Sequence, residues 1–97
     1  MEDSDRQTGR TTRQMETAPI GSLFIWVNAR LDYPKLLAAR LGRTDLQIIS
    51  PGKLEQGAIA LRGQRFSSIL IDHAALLTDD QWDGWESLQP YIMRGAG

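Results

Sequence analysis

The residues best placed for chemistry are Asp72 and His73, which follow directly on the apolar run Ile69-Leu70-Ile71. An acidic residue at the end of a buried strand sits where ligands collect in open α/β sheets, beyond the carboxyl ends of the strands. The same edge should carry Asn28, after the apolar run at 23–27, and Ser50, after the run at 46–49. Asp72, His73, Asn28 and Ser50 therefore form a candidate strand-end site with a carboxyl group, an imidazole able to exchange protons near neutral pH, an amide and a hydroxyl. Each also has a plainer role: Asp72 closes a buried strand and caps the turn after it, and His73 is a polar side chain beside it. A Ser-His-Asp arrangement using Ser50 or Ser67 comes with no signal for an oxyanion hole, so no catalytic residue is assigned.

Composition narrows the chemistry further. The 97 residues include no cysteine and a single histidine, which removes thiolate nucleophiles, disulfides and multi-histidine zinc sites, and no metal or other cofactor is expected. A net charge of -1 argues against a surface that grips nucleic acid all round. The charge is unevenly spread. Between residues 30 and 65, seven cations face three carboxylates, whereas from 72 onward five carboxylates face Arg94 alone. Among the cations, Arg30, Lys35, Lys53, Arg62 and Arg65 are the candidate contacts for phosphate or nucleic acid. Basic and acidic parts on one molecule can serve two different partners or head-to-tail association, or can simply be solvated helix faces.

These side chains need elements to hold them. Leu23-Phe24-Ile25-Trp26-Val27 reads as a strand covered on both faces, the pattern of a parallel sheet. A helix is expected next, with Asp32 as N-cap, Pro34 in its first turn, an apolar face of Tyr33, Leu36, Leu37 and Leu41, and Gly42 as its terminating glycine. Leu46-Gln47-Ile48-Ile49 supplies a second strand, ended by Ser50-Pro51-Gly52. Residues 53–63 suit a helical turn or two, weakened by Gly57. Phe66 and the run at 67–71 form the third strand. Thr78 and Gln81 then make a capping box, with Asp79 and Asp80 in the first turn, Trp82, Trp85 and Leu88 on the buried face, and Pro90 as the stop.

Alternating strands and helices with right-handed crossovers give an α/β fold: a small three-layer parallel sheet of order 2-1-3 with flanking helices. A further strand is expected near 91–93, since two open edges leave little core. Residues 1–18 are expected to be a disordered tail, because Met15 is their only large apolar side chain after the initiator, and residues 19–97 to be one domain. No apolar run approaches the roughly 20 residues of a membrane span and the N-terminus resembles no targeting peptide, so a cytoplasmic location away from membranes is expected.

Ser50-Pro51-Gly52-Lys53, then a short helical segment, a strand and Asp72-His73-Ala74-Ala75-Leu76-Leu77, resembles part of superfamily-two helicase and related ATPase cores. The matching stretch there runs from a TPGR motif to a DEAD-type Walker B motif. Leu61-Arg62-Gly63 and Leu88-Gln89-Pro90 resemble the Walker B region of viral large-terminase ATPases, which implies a phage or viral source. The likeness covers residues 23–90 in layout. It implies a P-loop-like domain with Asp72 where magnesium is held and Lys53, with Arg62 or Arg65, against a nucleic-acid backbone. His73 stands where the family has a glutamate. No G-x-x-x-x-G-K followed by Ser or Thr occurs anywhere, so the phosphate-binding half is missing. A receiver-type domain with Asp72 as phosphoacceptor fits less well, because Asn28, Ala29 and Arg30 occupy the place of its acidic pair.

The resulting expectation is a non-catalytic P-loop-like interaction module of a phage or virus. It would dock onto a larger protein assembly or self-associate, in the manner of a virion structural or decoration protein whose N-terminal arm orders against a capsid neighbour. The alternative is a nucleic-acid-binding accessory of a DNA-processing machine.

Overall fold

The computed structural model describes residues 2–62 and 64–92, with side chains from Gly9 onward except that of Ala58. Its elements, in chain order, are α1 (Glu2–Thr17), β1 (Leu23–Ile25), α2 (Asp32–Arg40), β2 (Gln47–Ile49), α3 (Pro51–Glu55), a 3-10 turn (Gly57–Ile59), β3 (Ile69–Ile71), α4 (Asp79–Ser87) and a second 3-10 turn (Gln89–Tyr91). The strands make one parallel sheet of order β2-β1-β3, in which Phe24 lies level with Ile48 and with Leu70. This is the three-layer α/β arrangement expected from the sequence.

Strand alternation sorts the core into two layers. Leu23, Ile25 and Ile49 point to one face, where Leu54, Leu61, Phe66 and Leu88 cover them. Phe24 and Ile48 point to the other, beneath Met15, Ala18, Ala38 and Leu46. The first face is closed by α3, the 3-10 turn and α4, and the second by α1 and α2.

Local signals act at the element ends. Gly42 adopts a left-handed φ of 71°, and the backbone N–H groups of Gly42 and Arg43 return to Ala39 and Ala38, completing a Schellman motif after α2. The Ser50 hydroxyl accepts from the Lys53 N–H at 3.2 Å to start α3. The capping box before α4 is complete in both directions, between Thr78 and Gln81. Pro90 lies in a 3-10 turn just beyond that helix.

Several expectations need correction. Within the N-terminal segment expected as a tail, 2–17 is helix, and Thr11, Met15 and Ala18 at its C-terminal half are buried against the rest of the fold. The stripe Thr11, Gln14, Met15, Ala18 has helical spacing, and Thr11 and Gln14 hydrogen-bond to the tip of β3. In α2 the N-cap is Leu31, with Asp32 one residue inside the helix, and the inward stripe is Pro34, Leu37, Ala38 and Leu41. Tyr33 and Leu36 remain 45% and 52% exposed. In α4 the inward stripe is Gly84, Trp85 and Leu88, with Trp82 turned outward against the edge of Trp85 at a ring separation of 5.6 Å. Near 91–93, the described residues show a single parallel bridge between Phe66 and Ile92 instead of a strand. Met93, Arg94 and Gly63 lie outside the described residues.

Candidate functional site

Asp72 lies where the sequence placed it, one residue past β3, with its N–H donating to the Ile25 carbonyl at 2.9 Å. It is 2% exposed. A carboxyl group this deeply buried requires hydrogen-bonding partners. One oxygen accepts from the Thr11 hydroxyl at 2.8 Å, and the other accepts from the Ala74 N–H at 3.0 Å. The Ala75 N–H returns to the Asp72 carbonyl at 2.9 Å, closing the turn. The carboxyl group is therefore an internal fastener, holding α1 on one side and the β3–α4 loop on the other.

His73 adds to that fastening. Its backbone N–H donates to Gln14 Oε1 at 3.1 Å, and Gln14 Nε2 donates to the Ile71 carbonyl at 3.0 Å. Imidazole Nδ1 lies 3.4 Å from Gln14 Oε1 and 3.8 Å from Asp72 Oδ1. Gln14 thus spans the end of β3 as a two-handed amide, leaving α1 seated over the strand tip.

Asn28 and Ser50 do not join Asp72 and His73 in one constellation. The Asn28 side chain accepts from the Arg30 N–H at 2.8 Å and belongs to an open cleft of about 430 Å³ beyond β1. Trp26, Arg30, Asp32 and Tyr33 line the rest of it, and the two rings are tilted against each other at 5.9 Å. This cleft brings two of the expected residues, Asn28 and Arg30, together. Ser50 is occupied as the N-cap of α3, and Ser67 lies at the opposite end of β3 from Asp72, hydrogen-bonded to the Ile20 carbonyl. Neither serine reaches His73 as a nucleophile would need to.

The candidate cations are dispersed. Lys35 lies on α2, over one face of the sheet, and Lys53 on α3, over the other. Arg30 flanks the cleft beyond β1, while Arg62, with a left-handed φ of 56°, and Arg65 precede β3. Among the described residues no group of three or more acidic or histidine side chains stands close enough to hold a metal ion. None of the described helices is long and apolar enough to cross a membrane.

One organising residue escaped the sequence reading. Arg43, just past the α2 terminus, directs its guanidinium at the free carbonyls ending α1: Met15, Glu16 at 3.3 Å, Ala18 at 2.9 Å and Pro19 at 3.4 Å. It also makes a two-point pair with Asp45 at 3.0 Å, and Asp45 in turn accepts from the Gly21 N–H at 2.8 Å. The hydrogen bond to Asp45 raises the Arg43 pKa, and that from Arg43 holds the Asp45 carboxylate far below its usual range. Only the position of Arg43 beside the terminating Gly42 hinted at this role. No protein-family model, curated protein or solved structure matches the chain.

Proposed function

We propose that this chain is a non-catalytic, P-loop-like interaction module that docks onto a larger protein assembly. One observation carries the reading: Asp72, the residue that the helicase-like resemblance would put on magnesium, has its two oxygens engaged by Thr11 and Ala74 from within the fold. A P-loop enzyme needs that group facing an open crevice, with a glycine-rich loop cradling the phosphates. Here α1 sits over the strand tip, and the sequence contains no such loop. The terminase-like features of the same stretch favour a phage or viral assembly as the setting. Calorimetric titration of the full chain with Mg–ATP tests the reading: no binding heat is expected, and micromolar affinity would overturn it. The nucleic-acid alternative gains nothing from the geometry, since Lys35 and Lys53 lie over opposite faces of the sheet and form no continuous track.

A further inference from the structure

The sheet has an unfinished side. Among the described residues β2 pairs with β1 alone. The Gln47 N–H donates to the Ser22 carbonyl and the Ile49 carbonyl accepts from the Trp26 N–H, so both residues spend their backbone groups on β1. Parallel pairing then turns the N–H and C=O of Ile48 outward, away from the ladder. Beside this edge runs a groove of about 210 Å³ lined by Lys35, Ala38, Ala39, Thr44, Leu46 and Ile48, with the Arg43 side chain at its end.

We propose that the free edge of β2 and this groove are a docking site for an extended acidic segment of a protein partner. The proposal rests on the interaction-module reading and names its surface. Backbone pairing with Ile48 would add a fourth strand, and alternate side chains of the segment would fall into the groove over Ala38, Ala39, Leu46 and Ile48. Lys35 stands on the groove wall and has no ion-pair partner among the described residues, while Arg43 already faces Asp45. The charged side chains lining the groove, Lys35 and Arg43, are both cations and no carboxylate lines it, which complements acidic side chains on the incoming strand. A second copy is disfavoured because its own β2 edge and groove lining offer no carboxylate to meet Lys35. An oligonucleotide is disfavoured because the groove is aliphatic, with no ring on which a base could stack.

The test is an NMR titration of the isotope-labelled full chain with three probes: an octapeptide with valine and glutamate in turn at alternate positions, so that both fall on the groove face, and threonine between them; its lysine-for-glutamate counterpart; and an oligothymidylate of matched charge. The acidic peptide should shift the amides of 46–49 and 38–39, and the other two should leave them in place. N-methylation of the peptide residues facing Ile48 should abolish those shifts, whereas methylation of the alternate residues should preserve them. Lys35→Glu, an exposed change on α2, should weaken the acidic peptide by roughly fivefold. The inference is overturned if the acidic peptide causes no shifts at millimolar concentration, if N-methylation has no effect, or if the lysine peptide or oligothymidylate binds equally well. Dilution-dependent shifts of the same amides without any peptide would also overturn it, giving the edge to a second copy. If these arms fail while Mg–ATP still gives no heat, the edge assignment alone falls; nucleotide binding would remove the underlying reading.

Discussion

Replacing Gly84 by alanine places a methyl group where α4 crosses α3. The added Cβ would lie 2.0 Å from the Leu54 carbonyl oxygen, 2.9 Å from the Leu54 carbonyl carbon and 3.1 Å from Glu55 Cα, whereas ordinary contact begins at 3.4 Å. All three obstacles are backbone atoms, so no side-chain rotation relieves them. The two helices must separate by about an ångström or more, loosening Leu54 and Leu88, both fully buried, and Trp85 packed beside them. Overpacking of this kind costs about 1–3 kcal/mol, and a backbone obstacle places it at the upper end. Against it stands the gain of about 1 kcal/mol that alanine brings to an unconstrained helix position. The clash wins, and the net loss is about 2 kcal/mol. For a domain of this length that lowers the unfolding midpoint by roughly 8–16 °C. Thermal and urea unfolding followed by circular dichroism measure it, with Gly9→Ala on α1 as the matched control. A Cβ at Gly9 meets nothing within 4 Å, so the same substitution there should be neutral or stabilising. Equal midpoints for the two variants, or a Gly84→Ala chain as stable as the parent, would refute the close-crossing argument.

Thr11→Val keeps the shape of the side chain but leaves one oxygen of buried Asp72 without its donor; a loss of about 1–3 kcal/mol is expected, with limited proteolysis cutting within α1 sooner than in the parent. Arg43→Ala uncaps α1 and unpairs Asp45, so α1 should release before the sheet melts, read as earlier amide exchange at 11–17 than at 23–25. Because the Asp45 pKa is depressed by folding, its contribution is fully present above the ordinary carboxylate pKa and declines as the pH falls through and below that range. Acid titration of stability should therefore show a loss below about pH 4 that shrinks in Arg43→Ala. Gly42→Ala meets no steric neighbour but forces a side chain into a left-handed φ, and should cost about 1 kcal/mol in urea unfolding.

What could be read in the sequence was whatever rested on strong local signals. Three β-rich runs separated by crossover lengths gave the parallel sheet and its order, and Gly42, Ser50 and the Thr78–Gln81 box marked real boundaries. The helix faces are less legible, because apolar side-chain type does not by itself fix direction. In α2 the large Tyr33 and Leu36 point outward, and the small Pro34 and Ala38 seat the helix closely on the sheet. In α4 Gly84 performs the same task, which a search for bulky residues passes over. Docking of α1 was hidden for a related reason. Its inward stripe of Thr11, Gln14, Met15 and Ala18 is half polar, and those polar members have partners, Asp72 and the Ile71 carbonyl, some sixty residues away. Hydrophobic periodicity carries no trace of a hydrogen bond between distant residues.

That hidden contact changes the meaning of the strand-end carboxyl group. In an open α/β sheet the crevice beyond the strands is free because the crossover helices diverge there, and an acidic side chain at its lip reads as ligand chemistry. This chain places a helix from before the first strand over that lip and uses the same acidic side chain to anchor it. A three-stranded sheet gains from the arrangement, since α1 adds Met15 and Ala18 to a face whose core is otherwise supplied by the sheet, α2 and the loop before β2. The anchor leaves the opposite side of the sheet untouched. At β2 the backbone of Ile48 has no strand to pair with among the described residues, while Asp72 at the tip of β3 is already satisfied. Among the described residues, unmet backbone hydrogen-bonding capacity therefore lies at the β2 edge, the site proposed for an extended segment, rather than in the Asp72 carboxyl group at the tip of β3.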